Sequence, residues 1–342
     1  MASEDEQPSQ FFLEVVPDSE DLSYAQTPRG LTLTALVARL RQLAESSDEE
    51  SRKFSTALLG QIGRAGVKAA EPTSWWGLLP LSDNRALATG DELVQVSPSS
   101  VDAFEKCQLR WVLERHGGTR GEISAQAIGI ALHAVVAQLA ENPNLTRSDL
   151  SDSIDQIWPS LDVGTGWSAR RERSRVEGML EKFMDWHGAS NRELVGAEET
   201  FDFTVDRARI KGSIDRLEVT SDGAYFVVDL KTGTSALSAA DSQSTAQLQL
   251  YQLAIVEGAV PKAGDGAASA GAELLYVGTP TKSASIRTQS TIDVDKVRER
   301  IRDTAEGMSG SQFVAMENDL CRVCNVRASC PIMLEGRSVV QP

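Results

Sequence analysis

Three charged residues in one short stretch have the types and spacing needed for hydrolytic chemistry. Asp229 and Lys231 are two residues apart in an apolar run, so in an extended strand they project from the same side. The preceding strand carries Asp215, and Asp222-Gly223 between the two predicts a tight hairpin turn. Antiparallel pairing would bring both aspartates near the lysine. Such a trio suits metal-assisted phosphodiester hydrolysis, because carboxylates bind Mg²⁺ and the ion activates water.

The strand that carries Asp215 changes its apolar parity along its length. Ile210 and Ile214 occupy even positions, whereas Leu217 and Val219 occupy odd ones. This change predicts a bend or bulge near Asp215 and Arg216. Lys231 would orient the attacking water or neutralise charge that develops on the phosphate. The alternative for Asp-x-Lys alone is a salt bridge between strand residues, since this tripeptide occurs by chance in many proteins.

Four short motifs follow one another in the chain, and their residues are His133 on a predicted helix, Gly212 to Arg216, Asp229 to Lys231, and Gln247 with Tyr251. Gln247 and Tyr251 lie four apart on one helix face. The order resembles the PD-(D/E)XK nuclease superfamily, in particular its RecB-type domains. The resemblance implies an α/β restriction-endonuclease-like core, with a mixed central sheet flanked by helices. It also implies a DNA nuclease that works in double-strand break repair or recombination, an exonuclease rather than an endonuclease.

The same resemblance assigns roles to single residues. Asp215 and Asp229 would ligate Mg²⁺ or Mn²⁺ with His133 as a further ligand, although a lone histidine on an apolar helix is more often a packed core residue. Gln247 and Tyr251 would contact the substrate backbone or buttress the site. The family places a further glutamate on the preceding strand, and Glu198 aligns best with it. The adjacent Glu199 leaves that assignment open, and a solvated strand carboxylate is the alternative for either residue.

The four cysteines of the chain have a one-plus-three layout, with Cys107 alone and Cys321, Cys324 and Cys330 spaced Cys-x2-Cys-x5-Cys. Clustered cysteines favour a metal site, and the spacing suits structural Zn²⁺ or a 4Fe-4S cluster equally. Four unrelated free thiols are the remaining alternative. The layout resembles the iron-sulfur staple of AddB-type and AdnAB-type nuclease domains, which implies a 4Fe-4S cluster that clamps the two ends of the domain.

The charge balance argues against a nucleic-acid partner, because phosphate binding normally leaves a basic footprint and the formal net charge is −15. The acidic residues are distributed unevenly, however, since the first 22 residues hold no Lys or Arg. Basic residues cluster elsewhere, at Arg170, Arg171, Arg173 and Arg175. These arginines form either a solvated helix face with neighbouring glutamates or a DNA track.

A domain boundary is predicted near residue 92, after turn-forming residues. Residues 1–91 are interpreted as an acidic tail plus a helical extension, and residues 92–342 as the nuclease domain. The AdnAB resemblance implies that residues 1–91, including Trp75-Trp76, correspond to the last part of a helicase motor. No P-loop motif occurs in the sequence, so we expect no nucleotide-binding site here and expect a separate helicase motor subunit as a partner.

Two further expectations complete the interpretation. The sequence has no apolar run of 18 residues and begins with acidic residues, which predicts a cytoplasmic protein without a membrane partner. Periodicity predicts the following elements: helices at 31–44, 49–66, 97–107, 122–141, 147–158, 169–187, 245–255 and 293–308, and strands at 194–205, 208–220, 225–231 and 272–277. Alternative functions are a non-catalytic DNA-binding or scaffolding subunit of a helicase-nuclease complex, and a zinc-stapled enzyme of another activity.

Overall fold

The computed structural model describes residues 32–46, 48–74, 84–118, 123–161 and 163–333. The acidic segment at residues 1–25 and the Trp75-Trp76 stretch lie outside these residues. The chain divides into two compact units, one formed by residues 1–82 with 338–342 and the other by residues 83–337. None of the helices among the described residues is both long and apolar enough to span a membrane.

The first unit contains two helices that pack on each other. Helix α1 spans Leu33–Ala44 and α2 spans Glu49–Arg64. Each begins at a residue whose side chain accepts a hydrogen bond from the first turn, Thr32 for α1 and Asp48 for α2, which satisfies a free backbone N–H. Val37, Leu40 and Leu59 form the core between them. The predicted helical extension is therefore confirmed.

The predicted elements of the second unit occur in the predicted order, and four short elements were not predicted: Val94–Val96, Gln108–Arg115, Ala239–Ser244 and Ser285–Gln289. The elements are β1 (Val94–Val96), α3 (Pro98–Lys106), α4 (Gln108–Arg115), α5 (Ile123–Ala137), α6 (Arg147–Ile157), α7 (Gly166–Ala189), β2 (Glu193–Val205), β3 (Ala208–Val219), β4 (Tyr225–Lys231), α8 (Ala239–Ser244), α9 (Ala246–Val256), β5 (Ser269–Tyr276), β6 (Ser285–Gln289) and α10 (Val294–Ser309). Strand β5 begins three residues earlier than predicted. Gly271 adopts a φ of 116° inside this strand, so a Gly/Ala-rich stretch that is typical of a loop extends the sheet.

The strands form one mixed sheet. Its order is β1-β3-β4-β5-β6, and β2 pairs with β3 along nearly its whole length. The β2–β3, β3–β4 and β5–β6 pairs are antiparallel, whereas β1–β3 and β4–β5 are parallel. The predicted α/β class with a mixed central sheet is therefore confirmed.

Helices cover both faces of the sheet, and each face has its own core. One core joins the sheet to α3, α4, α9 and α10 and includes Val227 and Leu274. The other core joins it to α5, α6 and α7 and includes Val228 and Leu275. Neighbouring residues of β4 and β5 thus serve opposite layers, because side chains alternate along a strand. This explains why both strands read as nearly continuous apolar runs.

The predicted change of parity in β3 is visible in its side-chain contacts. Ile214 and Leu217 both belong to the core with α9, whereas Asp215 approaches His133 of α5 and Arg216 approaches His187 of α7. The shift in strand pairing lies elsewhere than predicted, in β2 between Leu194 and Gly196. The side-chain faces of β3 therefore change at Asp215–Arg216, but the extra residue is inserted in the neighbouring strand.

Gly278 permits close approach of two backbone segments beyond β4 and β5. A Cβ at this position would lie 2.0 Å from the carbonyl oxygen of Thr232. We expect Gly278→Ala to lower the free energy of unfolding by about 2–4 kcal/mol, because backbone must move. Gly233→Ala is the matched control, since its Cβ would meet nothing within 4 Å. Urea unfolding of the two variants checks this, and equal midpoints would contradict it.

Candidate active site

The β3–β4 hairpin brings the two predicted aspartates side by side. Gly223 adopts a φ of 85° in the turn, a conformation that glycine reaches without steric cost. Arg216 then pairs with Val228 in antiparallel register, so Asp215 lies next to Asp229. The carboxylate of Asp215 accepts a hydrogen bond from the backbone N–H of Leu230 at 2.8 Å. The hairpin predicted from Asp222-Gly223 is therefore confirmed.

Asp229 is buried, with 1% of its surface exposed. Its Oδ1 atom accepts a hydrogen bond from Gln247 Nε2 at 2.9 Å. Its Oδ2 atom lies 2.7 Å from Lys231 Nζ, so the ammonium is the charged partner of this oxygen. Burial raises the pKa of Asp229 to about 6, because Lys231 offsets the lost hydration only in part and Asp215 adds negative charge.

Gln247 holds Lys231 and the buried Asp229 together. Its Oε1 atom accepts a hydrogen bond from Lys231 Nζ at 3.0 Å, and its Nε2 atom donates to Asp229 and to the Tyr251 hydroxyl at 2.9 Å each. Burial lowers the pKa of Lys231, but Asp229 and Asp215 raise it more, so the ammonium stays charged. Burial raises the pKa of Tyr251, so the phenol stays neutral and can donate or accept.

Asp215 faces a second group of side chains. His133 Nδ1 lies 3.4 Å from Asp215 Oδ2 and 3.9 Å from Glu198 Oε1. One ligand atom from each of these three residues lies within 4.8 Å of the others. Burial lowers the pKa of His133, but its contact with Asp215 and the nearby carboxylate charges raise it more. The predicted trio is thus divided: Lys231 contacts Asp229, while Asp215 contacts the histidine.

The structure distinguishes the two adjacent glutamates of β2. Glu198 points toward His133 and accepts a hydrogen bond from Ser213 Oγ at 3.1 Å. Glu199 instead pairs with Lys262 at 2.7 Å. Glu198 has a φ of 53°, which is strained for a residue with a side chain and recurs at functional sites. The side chain that lies beside the histidine is therefore Glu198.

Asp102 supports the site, and sequence reasoning did not find it. Its two carboxylate oxygens accept hydrogen bonds from the backbone N–H groups of Ala246 at 3.0 Å and Gln247 at 3.2 Å. Thr245 holds the N-cap position of α9 without a side-chain cap bond, so Asp102 of α3 supplies the cap from a distant part of the chain. No local pattern could have indicated this contact, because capping signals are read within a few residues.

Gly212 acts through packing. A Cβ on Gly212 would lie 2.5 Å from the Phe201 ring, and that ring meets Tyr251 edge-on with centroids 5.9 Å apart. Tyr251 in turn contacts Gln247. The glycine of the Gly-x-x-Asp-Arg motif therefore leaves room for the ring that supports the Gln-x-x-x-Tyr helix.

Removing the amide of Gln247 tests this support. We expect Gln247→Ala to lower the cleavage rate about a hundredfold, because Lys231 and Asp229 lose the group that fixes both. Gln243→Ala on α8 is a matched control, since Gln243 binds the Thr288 carbonyl away from the site. Single-turnover cleavage of labelled DNA measures the effect. An unchanged cleavage rate for Gln247→Ala would contradict the claim that Gln247 fixes Lys231 and Asp229 for catalysis.

These residues fit a divalent cation. His133, Glu198 and Asp215 each offer one ligand atom within 4.8 Å of the others. Carboxylate oxygens with an imidazole nitrogen form a donor set that Mg²⁺ and Mn²⁺ accept. Asp229 lies next to Asp215 and pairs with Lys231. The site therefore has an electrostatic preference for positive charge.

The four cysteines line one cavity at the far end of α3. Cys107 lies between α3 and α4, while Cys321, Cys324 and Cys330 lie in and after two short 3₁₀ turns. The backbone N–H of Met316 points to Cys107 Sγ at 3.5 Å, and that of Asn318 to Cys321 Sγ at 3.3 Å. The structure thus brings together thiols that are more than 200 residues apart in sequence.

Comparison with known proteins gives the family. The model of the PD-(D/E)XK nuclease superfamily matches residues 95–331, and no curated protein matches the chain. Among solved structures, a candidate exonuclease from Eubacterium rectale is 14% identical with a TM-score of 0.38, covering 68% of this chain and 88% of its own. The protein SSO0001 is 15% identical with a TM-score of 0.35, and the match covers 72% of this chain and 91% of SSO0001.

The mixed sheet flanked by helices fits the restriction-endonuclease-like fold. Since the family match spans more than half of the sequence, the chain belongs to the PD-(D/E)XK nuclease superfamily.

Proposed function

We propose that the chain is a Mg²⁺-dependent or Mn²⁺-dependent DNA nuclease of RecB type, and an exonuclease. The observation that carries this proposal is the convergence of Asp215, Asp229, Lys231 and His133 at one end of β4. Family membership supports nuclease activity. The group formed by His133, Glu198 and Asp215, whose ligand atoms lie within 4.8 Å of one another, supports a bound metal.

In this proposal Asp215 and Asp229 hold the ion, with His133 and Glu198 as further ligands. A bound divalent ion polarises the scissile phosphate and lowers the pKa of a water. Lys231 is held between Asp229 and Gln247, so its ammonium is fixed where it can orient the water or offset charge on the phosphate. Tyr251 stays protonated and positions Gln247.

We further infer that the four cysteines bind a 4Fe-4S cluster with a structural role. All four cysteines line one cavity, and their one-plus-three layout resembles the iron-sulfur staple of AddB-type and AdnAB-type nuclease domains. Backbone N–H groups that point at the sulfurs also suit a cluster.

The biological setting proposed is repair of DNA double-strand breaks together with a helicase motor subunit. The sequence contains no P-loop motif, so unwinding would come from a partner. A nuclease that acts in this setting attacks DNA ends. The site itself favours hydrolysis over scaffolding alone, since it retains both aspartates and the lysine, with Lys231 paired to Asp229 and Asp215 beside His133.

Cleavage assays test the function. Anaerobically purified protein is incubated with linear single-stranded, linear double-stranded and circular DNA in Mg²⁺, Mn²⁺ or EDTA. We expect degradation of linear DNA only, and none in EDTA. Degradation of circular DNA would replace the exonuclease assignment by an endonuclease. No degradation by a folded, iron-containing protein would instead favour the non-catalytic DNA-binding or scaffolding subunit.

A further inference from the structure

Helix α7 carries a line of side chains on one exposed face. Trp167, Arg171, Arg175, Gly178 and Lys182 recur at intervals of three and four residues, so they share one side of the helix. The opposite side buries Val176, Met179, Leu180 and Phe183. Trp167 is 68% exposed, and the Arg171 guanidinium lies 5.6 Å from the centroid of its ring. A large aromatic side chain in water beside an arginine is a feature of nucleic-acid surfaces.

The C-terminal half of this face opens into a cavity of about 560 Å³. Its opposite wall is Thr234 with Val277–Pro280, which follow β4 and β5 directly. Thr234 is three residues beyond Lys231, and the backbone N–H of Val277 donates to the Lys231 carbonyl at 3.0 Å. The cavity therefore lies against the chain segment that leaves the catalytic strand.

The charge of this cavity differs from that of the whole protein. Arg175 and Lys182 line it, and none of the described residues that line it is a carboxylate. Lys182 donates to the carbonyl oxygens of Val277 and Thr279 at 3.2 and 2.5 Å, and these acceptors leave its positive charge uncompensated. Arg175 pairs with Glu172 at the rim. In a chain of net charge −15, such a cavity is a place where a polyanion is not repelled.

A second cavity, of about 450 Å³, is lined by Lys231 and Gln247 among others. Its described lining includes four carboxylates, which are Asp102, Glu105, Asp241 and Asp319. The cations there are Lys106, Lys231 and Arg300, and Arg300 is already paired with Glu105. The lining of this cavity on the α9 side of β4 is therefore more acidic than the lining on the α7 side.

The arginine cluster separates into two kinds of residue. Arg173 is bound inside the protein, to Asp155 at 2.7 Å, Glu177 at 3.0 Å and Ser151. Arg171 instead stays exposed beside Trp167. Arg173 therefore stabilises the packing of α6 on α7, while Arg171 is available to a ligand.

We propose that the α7 track, defined as Trp167, Arg171, Arg175 and Lys182, binds single-stranded DNA and leads it to the active site. The inference rests on the proposed nuclease function and specifies how its substrate is held. Trp167 stacks on an unpaired base, and the three cations contact phosphates. At 1.5 Å rise per residue the track is about 22 Å long, which is long enough to contact several nucleotides. Paired bases present no free face to Trp167, so the track selects a single strand.

Binding in EDTA separates this inference from catalysis. The probe is a fluorescein-labelled oligothymidylate of about 20 nucleotides, and anisotropy gives its Kd. We expect Trp167→Ala to weaken binding about tenfold, because stacking on one base is lost, and Trp167→Phe to retain most of the affinity. Arg171→Ala should lower the slope of log K against log salt by about 0.7, since one phosphate contact is removed.

Arg302→Ala on α10 is the matched control, because Arg302 pairs with Asp206 on another part of the surface, and we expect its Kd to be unchanged. Unchanged binding by Trp167→Ala and Arg171→Ala would overturn the α7 track. Equal affinity for the matching duplex would overturn its selection of a single strand. If the track variants lose binding while the wild-type protein cleaves nothing in Mg²⁺ or Mn²⁺, the track stands and the proposed function fails. If the wild-type protein cleaves and the variants bind normally, the proposed function stands and the α7 track fails.

Discussion

Asp229→Asn is expected to lower metal-dependent DNA cleavage about a thousandfold and to leave the protein folded. The substitution keeps the size of the side chain and removes the charge that the proposed metal site requires. Asp229 is buried and its pKa is raised to about 6, so the ionised carboxylate is costly to the fold at neutral pH. A neutral amide removes that cost. Lys231 keeps its bond to Gln247 and 31% exposure of its side chain, so it stays hydrated and is not left as an unpaired buried charge.

The measurements are cleavage of linear DNA, Mn²⁺ binding by calorimetry and the thermal midpoint. Metal binding and cleavage should fall together, while the midpoint stays the same or rises. Asp202→Asn is the matched control, because Asp202 is an exposed aspartate of β2 that pairs with Arg209 and Lys211. Retention of more than a tenth of the activity by Asp229→Asn would contradict the proposed role of Asp229 as a metal ligand.

Cys324→Ser is expected to lower stability and iron content together. The proposed cluster joins Cys107 to three cysteines across a loop of roughly 210 residues, and closing such a loop removes about 5 kcal/mol of conformational entropy from the unfolded chain. Because Cys107 ends α3, whose Asp102 caps α9, loss of the cluster should also loosen the helix that carries Gln247. Cleavage should therefore fall, though less than in Asp229→Asn.

Iron analysis, visible absorbance and thermal unfolding of the anaerobic protein check this result. Val323→Ser is the matched control, because Val323 is 74% exposed and adjacent to Cys324. An unchanged thermal midpoint for Cys324→Ser would rule out a stabilising staple. Zinc in place of iron at one equivalent would keep the staple and exclude the iron-sulfur cluster.

Much of the site could be predicted because its motifs are local. Alternation along β4 places Asp229 and Lys231 on one side, helical spacing places Gln247 and Tyr251 on one face, and the turn residues Asp222-Gly223 fix the hairpin. Each rule needs only a few neighbouring residues. The same locality explains why the longer elements and the mixed α/β class were predicted correctly, whereas β1, α4, α8 and β6, each of eight residues or fewer, were not predicted.

Contacts between distant segments required the tertiary structure. Glu198 and Glu199 are equivalent in sequence, and the left-handed backbone at Glu198 decides which one faces His133. Asp102 caps α9 from α3, far beyond the range of any capping pattern. Likewise, four neighbouring arginines look alike until packing binds Arg173 to α6 and leaves Arg171 exposed.

The sequence by itself determined which residue types could perform the chemistry and on which local elements they lie. The tertiary structure decided which of them meet, because backbone strain at one residue and pairing across the fold depend on the packing of the whole domain. It also decided where a polyanion can approach the protein. The charge of a cavity depends on residues from several segments, and only folding brings those segments together.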